Sequence, residues 1–335
     1  MRKVSFWIAY DFRRQPQRLF TKPCNLLYRL GVIYLVRSSA SRSGSHLTTG
    51  LGLALIHLVA LLAFVPALFS WSAIAAAAVL CYVTGGIGVT LGYHRLLTHR
   101  SLELPKPLEY LITVLGLLAL QGGPISWVAT HRRHHARSDR EGDPHGMDRG
   151  FWWAHVGWLF LPNPARPTVS EQRRLAPDLA NDPFYRFLDQ TAVLWQVALG
   201  VLLFAIGGWS WIVWGIFVRL VVTYHITWFV NSASHWTGYR TFRTGDRSTN
   251  NWWVALLAWG EGWHNNHHAF PFSARHGLRW FELDFTWLTI RALQLVGIVR
   301  SVKLPTPAML TRLRVPGPPA MPAPTVVGAP AGAGR

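Results

Sequence analysis

The chain has 335 residues, of which 50% are hydrophobic and only 14% are charged, and its mean hydropathy is positive at +0.18. This composition is too apolar for an ordinary soluble domain and predicts an integral membrane protein. Lys and Arg outnumber Asp and Glu by 33 to 15, but the basic residues flank apolar segments. We therefore expect a lipid bilayer, and no nucleic acid, as a partner.

The cysteine content limits the chemistry. Cys24 and Cys81 are the two cysteines, which excludes a disulfide framework, a CxxC zinc site and a four-cysteine iron–sulfur cluster. Electrons for any redox reaction must therefore come from a separate protein. The first long apolar run begins near Leu51 and no short hydrophobic segment with a cleavage site precedes it, so we expect no cleaved signal peptide.

The apolar segments predict an all-α membrane domain over residues 51–303. Residues 1–50 form a basic segment that we expect on the cytoplasmic side. Residues 51–71 and 72–92 are each long enough, at about 1.5 Å per residue, to cross a hydrocarbon core of roughly 30 Å. Residues 191–211 and 212–230 form a second pair with Gly207 and Gly208 at the turn. The prediction is four transmembrane helices arranged as two hairpins.

Two further segments are not predicted to cross the membrane. The apolar run 110–120 would extend only about 16 Å as a helix, and prolines and glycines flank it. We interpret it as re-entrant or interfacial, so that the chain stays on one side of the bilayer. Residues 304–335 are rich in Pro, Ala and Gly, which predicts a disordered tail.

Eight of the 15 histidines fall in three clusters, which contain His94 and His99, then His131, His134 and His135, then His264, His267 and His268. In the second and third clusters the i, i+3, i+4 spacing places three imidazoles on one helical face, within reach of one or two metal ions. His94 and His99 would be about 140° apart on an ideal α-helix, so either the helix ends between them or they bind two metals. Each predicted hairpin returns the chain to the side of the membrane from which it started, so all three clusters are expected at the cytoplasmic surface. Imidazole suits zinc, copper, iron and nickel, so spacing leaves the metal open.

The remaining histidines do not form such clusters. We interpret isolated ones, such as His46, His57 and His276, as interfacial or capping residues, and His225 as a residue that is hydrogen-bonded within the helix bundle.

Four segments resemble, in order and spacing, the motif set of the membrane fatty-acyl desaturases: GYHRLLTHRSLELP, WVATHRRHHARSDREGDPH, FVNSASHWTGYR and GEGWHNNHHAFP. The resemblance is to the delta-9 class, which includes stearoyl-CoA desaturases and bacterial and plastid acyl-lipid desaturases, and it covers most of the predicted membrane domain. It implies a cytoplasmic helical cap that holds a histidine-rich site with two iron ions. The ligands implied by the resemblance are His94, His99, His131, His134, His135, His235, His264, His267 and His268, with Asn231 acting through a water.

The resemblance implies an oxygen-dependent fatty acid desaturase, an oxidoreductase that inserts a cis double bond into a saturated long acyl chain. An alkyl methylene has no acidic proton, so a general base cannot remove its hydrogen, whereas two irons supplied with O2 and two electrons provide the required oxidant. Zinc is expected to substitute in purified protein because imidazole sites accept it. The same resemblance implies that Gln121, Trp127 and Thr227 define the bend of the substrate tunnel. The acids nearest in sequence that could orient the imidazoles are Asp139, Glu141, Asp143 and Glu261.

At one place the sequence departs from the family's animal members, and this difference leaves two possible acyl carriers, CoA and a membrane lipid. Those carry Trp-Ala-Arg-Asp before the second histidine cluster, where by resemblance the Arg and Asp help to hold CoA, whereas this chain has Val128, Ala129 and Thr130 after Trp127. The substrate is therefore an acyl chain linked either to a membrane lipid or to CoA, the latter held by other basic groups such as Arg132, Arg133 or the basic N-terminal segment.

The remaining expectations concern partners and location. A separate electron donor, such as a ferredoxin or a small cytochrome with its reductase, would dock on the basic cytoplasmic face. We expect a bacterial inner membrane, with both termini and the active site cytoplasmic. The alternatives are a related di-iron membrane hydroxylase and, with no redox chemistry, a metal transporter or a structural membrane protein.

Overall fold

The structure is a computed structural model that describes residues 42–315. Most of the predicted basic segment 1–50 and the end of the predicted tail, 316–335, lie outside these residues. Within the described range the chain is mostly helical, and its one sheet has two short antiparallel strands, in which Leu102 pairs with Val302.

The membrane-type helices lie in the first and third quarters of the described chain. The first of these regions holds α1 (Arg42–Ala60), the 3-10 turns Leu61–Phe64 and Pro66–Leu68, α2 (Trp71–Cys81) and the π-helix Tyr82–Thr98. The second holds α8 (Pro183–Ile212), the π-helix Val213–Val218, α9 (Arg219–Ser232) and the 3-10 turn Ala233–His235.

The connecting elements begin with β1 (Leu102–Glu103), α3 (Lys106–Leu117), α4 (Pro124–Arg137), the 3-10 turn Met147–Arg149, the π-helix Trp153–Gly157 and α5 (Trp158–Phe160). Next come α6 (Val169–Leu175) and α7 (Pro177–Ala180), which lead into α8. The chain ends with α10 (Trp252–Leu257), α11 (His264–Ala269), α12 (Phe285–Leu295), β2 (Ser301–Val302) and α13 (Pro307–Leu313).

Three helical stretches of the described chain are long and apolar enough to cross a membrane, namely His46–Phe64, Trp71–Thr98 and Pro183–His235. In the most apolar 18-residue part of the first stretch 11% of the residues are buried, and in that of the second 50% are, so α1 is peripheral and the second stretch is central. The predicted boundaries 51–71 and 72–92 were wrong in detail. The first helix ends early because Val65 is extended and Pro66 follows it, and the second continues to Thr98.

The third stretch has 53 residues and is interrupted at Gly207 and Gly208, which have non-helical backbone angles. Gly208 has a φ of 63°, a conformation that glycine adopts without strain. Beyond this pair the chain folds back, since Gly215 lies against the Leu203 side chain and Arg219 Nη2 is 3.4 Å from Gln196 Oε1.

Close backbone packing sets the position of the π-helix that carries His94. A Cβ atom added at Gly88 would lie 2.3 Å from the backbone nitrogen of Gly116, so the π-helix and α3 touch through two glycines. Farther along, the fully buried Arg95 donates to the carboxylates of Glu261 and Asp284 at 3.0 Å. This buried ion pair network ties the end of the π-helix to the loops around α11.

The predicted disordered tail begins too early. Pro307–Leu313 is a helix whose first turn is capped by Thr306, and the segment is tied to an inner loop by hydrogen bonds from Arg243 N to Leu313 O and from Val315 N to Thr241 O. The prediction was wrong for residues 304–315 because it weighed local composition and could not register these long-range backbone bonds.

Candidate metal centre

Nine histidines from four parts of the chain meet in two adjoining groups. The first group contains His94, His99, His131, His135 and His267, and the second contains His134, His235, His264 and His268. Within each group the nitrogens that could bind a metal all lie within 4.8 Å of one another. The groups adjoin where the rings of His135 and His268 stack with centroids 4.6 Å apart. The structure thus brings together every histidine named from the sequence as a ligand.

The first group depends on an unusual helix geometry. His94 and His99 are five residues apart, and His99 N donates to His94 O at 3.2 Å, which is the i to i+5 bond of a π-helix. Their ring centroids are therefore only 4.9 Å apart. The π-helix ends at Thr98 with His99 as its C-cap, so the helix does end between the two residues, as the first of the two expected alternatives required. The ideal α-helical winding that the expectation assumed was wrong, because π winding brings both rings to one face.

Buried carboxylates hold four of the imidazoles through Nδ1. Each contact joins one carboxylate oxygen to one Nδ1 atom: Glu261 to His94 at 2.7 Å, Asp143 to His134 at 2.9 Å, Asp139 to His235 at 2.7 Å and Asp246 to His268 at 2.7 Å. Such bonds fix the tautomer and leave Nε2 free to bind a metal. Of the acids suggested from sequence, Glu141 is exposed and takes no part.

Asp246 was missed, and it lies in a loop 22 residues before His268. Its neighbours, Thr244 and Ser248, donate hydroxyl protons to it and complete a partly buried acidic turn. No spacing rule in the sequence links this turn to the histidine clusters.

The ionisation of the site suits a metal. Burial lowers the pKa of five imidazoles well below the ordinary value of 6.5, and repulsion between neighbouring imidazoles lowers it further. These five are His99, His131, His135, His264 and His267. Burial alone would raise the pKa of Asp139, Asp143 and Glu261, but their histidine partners hold it below the usual range. The result is a set of neutral nitrogen donors surrounded by ionised carboxylates.

The contact between His264 and His268 tests whether a cation fits. His264 Nδ1 donates to the Glu261 carbonyl at 3.2 Å and His268 Nδ1 donates to Asp246, so both Nε2 atoms carry lone pairs. These Nε2 atoms are 3.0 Å apart. Lone pairs at that separation repel unless a cation lies between them. A metal ion bound by both nitrogens would remove this repulsion.

Unpartnered nitrogens support the same fit. The Nε2 atoms of His99 and His235 are buried and have no hydrogen-bond partner among the described residues. Buried polar atoms without partners are uncommon in folded proteins and call for an absent ligand or ion. The residues present therefore suit a pair of metal ions.

Two histidines that were not predicted as metal ligands, His276 and His225, also contact other histidines. His276 was interpreted as interfacial or capping, but it is buried, with its ring centroid 4.5 Å from that of His267 and its Nδ1 3.2 Å from Glu261. That interpretation was wrong, since a lone histidine gives no spacing signal. His225 contacts His57 at 3.2 Å and His155 at 3.0 Å, which confirms that it is hydrogen-bonded within the bundle.

A cavity of about 290 Å³ reaches the histidines and is lined by Gln121, Trp127, Thr227, His131 and Asn231 among others. Gln121 links the other two residues named for the tunnel bend, because it donates to Thr227 Oγ1 at 2.9 Å and accepts from Trp127 Nε1 at 3.4 Å. A smaller cavity of about 50 Å³ borders the same Trp127, Thr227 and Asn231 and also His94 and His264. The three residues named for the tunnel bend thus lie together beside the metal groups.

Comparisons with known proteins agree with this geometry. The fatty acid desaturase family model matches residues 69–297. The chain is 55% identical over 249 residues to the sn-1 stearoyl-lipid 9-desaturase of Anabaena variabilis, covering 74% of this chain and 90% of the relative. It is 54% identical over 250 residues to the protein of that name from a Synechocystis strain, covering 75% and 78%. Another relative, the icosanoyl-CoA 5-desaturase of Limnanthes douglasii, is 47% identical over 261 residues, covering 78% and 73%.

The chain thus combines helices apolar enough to cross a membrane with two groups of histidines that could bind metal ions beside a cavity, and its similarity to desaturases makes it an oxidoreductase. The chain belongs to the fatty acid desaturase family.

Proposed function

We propose that this protein is an acyl-lipid desaturase that inserts a cis double bond at the delta-9 position of a saturated long acyl chain. The observation that carries the proposal is the cavity that runs past Gln121, Trp127 and Thr227 to His131 and Asn231, because it brings an acyl chain directly to the histidine groups. The similarity to relatives named stearoyl-lipid 9-desaturases supports the delta-9 position and the lipid carrier.

The nine histidines are proposed as ligands of two iron ions, one in each group, with Asn231 near one ion through a water. Iron supplied with O2 and two electrons provides the oxidant that an unactivated methylene requires. The protein's own part is to hold the imidazoles neutral and oriented. Asp139, Asp143, Asp246 and Glu261 orient four of these imidazoles through Nδ1. Burial and repulsion between neighbouring imidazoles favour the neutral form. Zinc is expected to occupy the same nitrogens without supporting turnover.

Site selection is proposed to rest on the bend at Gln121. Leu120 and Gly122 on either side have positive φ angles of 51° and 104°, so the backbone turns sharply where Gln121 enters the cavity. The hydrogen bonds from Gln121 to Thr227 and from Trp127 to Gln121 hold α4 and α9 against this turn. An acyl chain that follows this wall is bent at a fixed distance from the histidines.

The membrane arrangement is proposed to be four spans in two hairpins, with residues 51–303 as the desaturase domain. The break at Gly207 and Gly208 and the contact of Gly215 with Leu203 support two antiparallel spans within the third apolar stretch. The histidine groups and the basic segments then face the cytoplasm of a bacterial cell, and a separate ferredoxin or small cytochrome docks there. A net charge of +18 supports docking of an acidic donor.

The proposal is tested by expressing the protein in a host whose lipids lack the relevant unsaturated fatty acid and locating double bonds in the extracted acyl chains. Cells with the wild-type protein should gain cis delta-9 monounsaturated chains, and cells with His267→Ala should gain none. Exposed Glu141→Gln is the matched control and should retain the product. Hydroxylated chains in place of unsaturated ones would establish the hydroxylase instead.

A further inference from the structure

The wall of the cavity beside the histidines includes an arginine, Arg166, that makes no ion pair with any described residue. Arg166 and Trp158 line it together with Gln172 and Thr130. Arg166 Nη1 and Trp158 Nε1 are both buried, and neither has a hydrogen-bond acceptor among the described residues. Two obligate donors therefore share the wall of one cavity without acceptors, and a guanidinium in such a place calls for an anionic oxygen.

The loop that carries Arg166 is firmly built. Asn163 donates from Nδ2 to Pro144 O at 2.7 Å, and its Oδ1 accepts from Ala165 N at 3.1 Å. The backbone N–H of Asn163 donates to His46 Nε2 at 3.4 Å. Because His46 is the first residue of the first apolar stretch, this contact sets the Arg166 loop at the end of that stretch, at the level where lipid head groups lie.

The neighbouring arginines are, by contrast, already paired. Arg132 contacts Asp178 at 2.8 Å and also donates to the Leu97 and Leu175 carbonyls. Arg133 contacts Glu171 at 2.8 Å, and Glu171 is itself fixed by the capping box with Thr168.

Arg132 and Arg133 therefore hold α4 against α7 and α6, and either one would have to break its ion pair to bind a CoA phosphate. No carboxylate in residues 42–315 makes an ion pair with Arg166, and burial lowers the pKa of its guanidinium, so the charge is costly without a ligand.

We infer that Arg166 and Trp158 form the head-group subsite of the acyl substrate and bind the phosphate of a glycerophospholipid. This inference rests on the proposed function and names its carrier more closely. In a glycerophospholipid the phosphate is only a few bonds from the acyl ester, so one molecule places its oxyanion at Arg166 while its acyl chain follows the same cavity. In acyl-CoA the long pantetheine arm separates the thioester from the nearest phosphate, which carries the oxyanions out of this cavity.

The test compares binding and turnover in purified full-length protein for the wild type, Arg166→Gln, Arg166→Lys and Trp158→Phe. Arg186→Gln is the matched control, since it removes one exposed arginine whose side chain, within residues 42–315, hydrogen-bonds to the Ala180 carbonyl alone. Spin-labelled stearoyl phosphatidylglycerol and a spin-labelled neutral stearoyl galactolipid are each titrated, and the immobilised fraction is measured. The kinetic constants kcat and KM are determined for the two unlabelled lipids, free stearate and stearoyl-CoA.

We expect the wild type and the control to bind the phospholipid at least tenfold more tightly than the galactolipid. Arg166→Gln should lose this preference through KM with kcat largely retained, Arg166→Lys should keep most of it, and Trp158→Phe should lose part of it. An unchanged preference in Arg166→Gln would overturn the subsite, and so would a wild type that prefers the galactolipid or stearoyl-CoA. Arg166-dependent use of free stearate would move the oxyanion to the acyl carboxylate and overturn the phosphate assignment.

The lipid-binding measurement tests the head-group subsite independently of the proposed desaturase activity. A wild type that shows the expected lipid preference but desaturates none of the four substrates contradicts the desaturase and leaves the subsite supported.

Discussion

The Oδ2 atom of Asp246 lies 2.7 Å from Nδ1 of His268, so a carboxylate in an otherwise unremarked loop fixes the ring of a proposed iron ligand. The same carboxylate holds its own loop by accepting hydrogen bonds from Thr244 and Ser248. Asp246 therefore connects the order of this loop with the basicity and orientation of one imidazole.

Replacing Asp246 with Asn should weaken metal binding. The amide cannot stabilise the His268 ring as a carboxylate does, and loss of such an outer partner typically costs roughly 10–100-fold in metal affinity or activity. Metal content after dialysis against a graded chelator series measures the effect. Glu141→Gln, an exposed acid close in sequence to the second cluster, is the control and should behave as the wild type. Equal metal retention by Asp246→Asn and the wild type would remove this role.

Replacing Gly88 with Ala should destabilise the protein. The new Cβ would lie 2.3 Å from Gly116 N, which is backbone and cannot turn aside, so the π-helix and α3 must separate. Overpacking of this kind costs about 1–3 kcal/mol or more. Thermal unfolding in detergent should show a lower Tm. Gly52→Ala adds the same methyl group to exposed α1 with nothing within 4 Å, and should leave the Tm unchanged or slightly higher. Similar Tm values for the two variants would contradict the close approach.

Replacing Gln121 with Ala should relax the position of the double bond. The change removes the hydrogen bond to Thr227 at 2.9 Å and the one from Trp127 at 3.4 Å, which together hold the bend. We expect a mixture of positional isomers, resolved by mass spectrometry of derivatised products. Ser170→Ala, on the exposed side of α6, is the control and should give a single isomer. A single unchanged isomer from Gln121→Ala would show that another wall sets the position.

Electron supply should depend on ionic strength. An acidic donor attracted to a chain of net charge +18 associates more slowly as salt screens the attraction, with a Debye length of about 10 Å at 0.1 M. Turnover under donor-limited conditions should fall as salt rises, whereas turnover with a small uncharged reductant should not. Turnover with the protein donor that does not change with salt would contradict docking by charge.

The histidine groups were accessible from sequence because their information is local. Three imidazoles at i, i+3 and i+4 share a helical face whatever the rest of the fold does. The π winding at His94 and His99 was not accessible, since a five-residue spacing fits an ideal α-helix poorly and only the packing of the π-helix against α3 shows the alternative. Asp246 and Arg166 were also missed, because both act through contacts between segments far apart in the chain. The ordered segment 304–315 was misjudged for the same reason.

The most direct test of the account compares iron-loaded with zinc-loaded protein in one assay that supplies O2, an electron donor and a stearoyl lipid. The account predicts that the iron-loaded protein forms a cis delta-9 double bond, while the zinc-loaded protein binds the same lipid and forms no product. Full turnover by protein that contains only zinc, or a hydroxylated product from the iron-loaded protein, would contradict it.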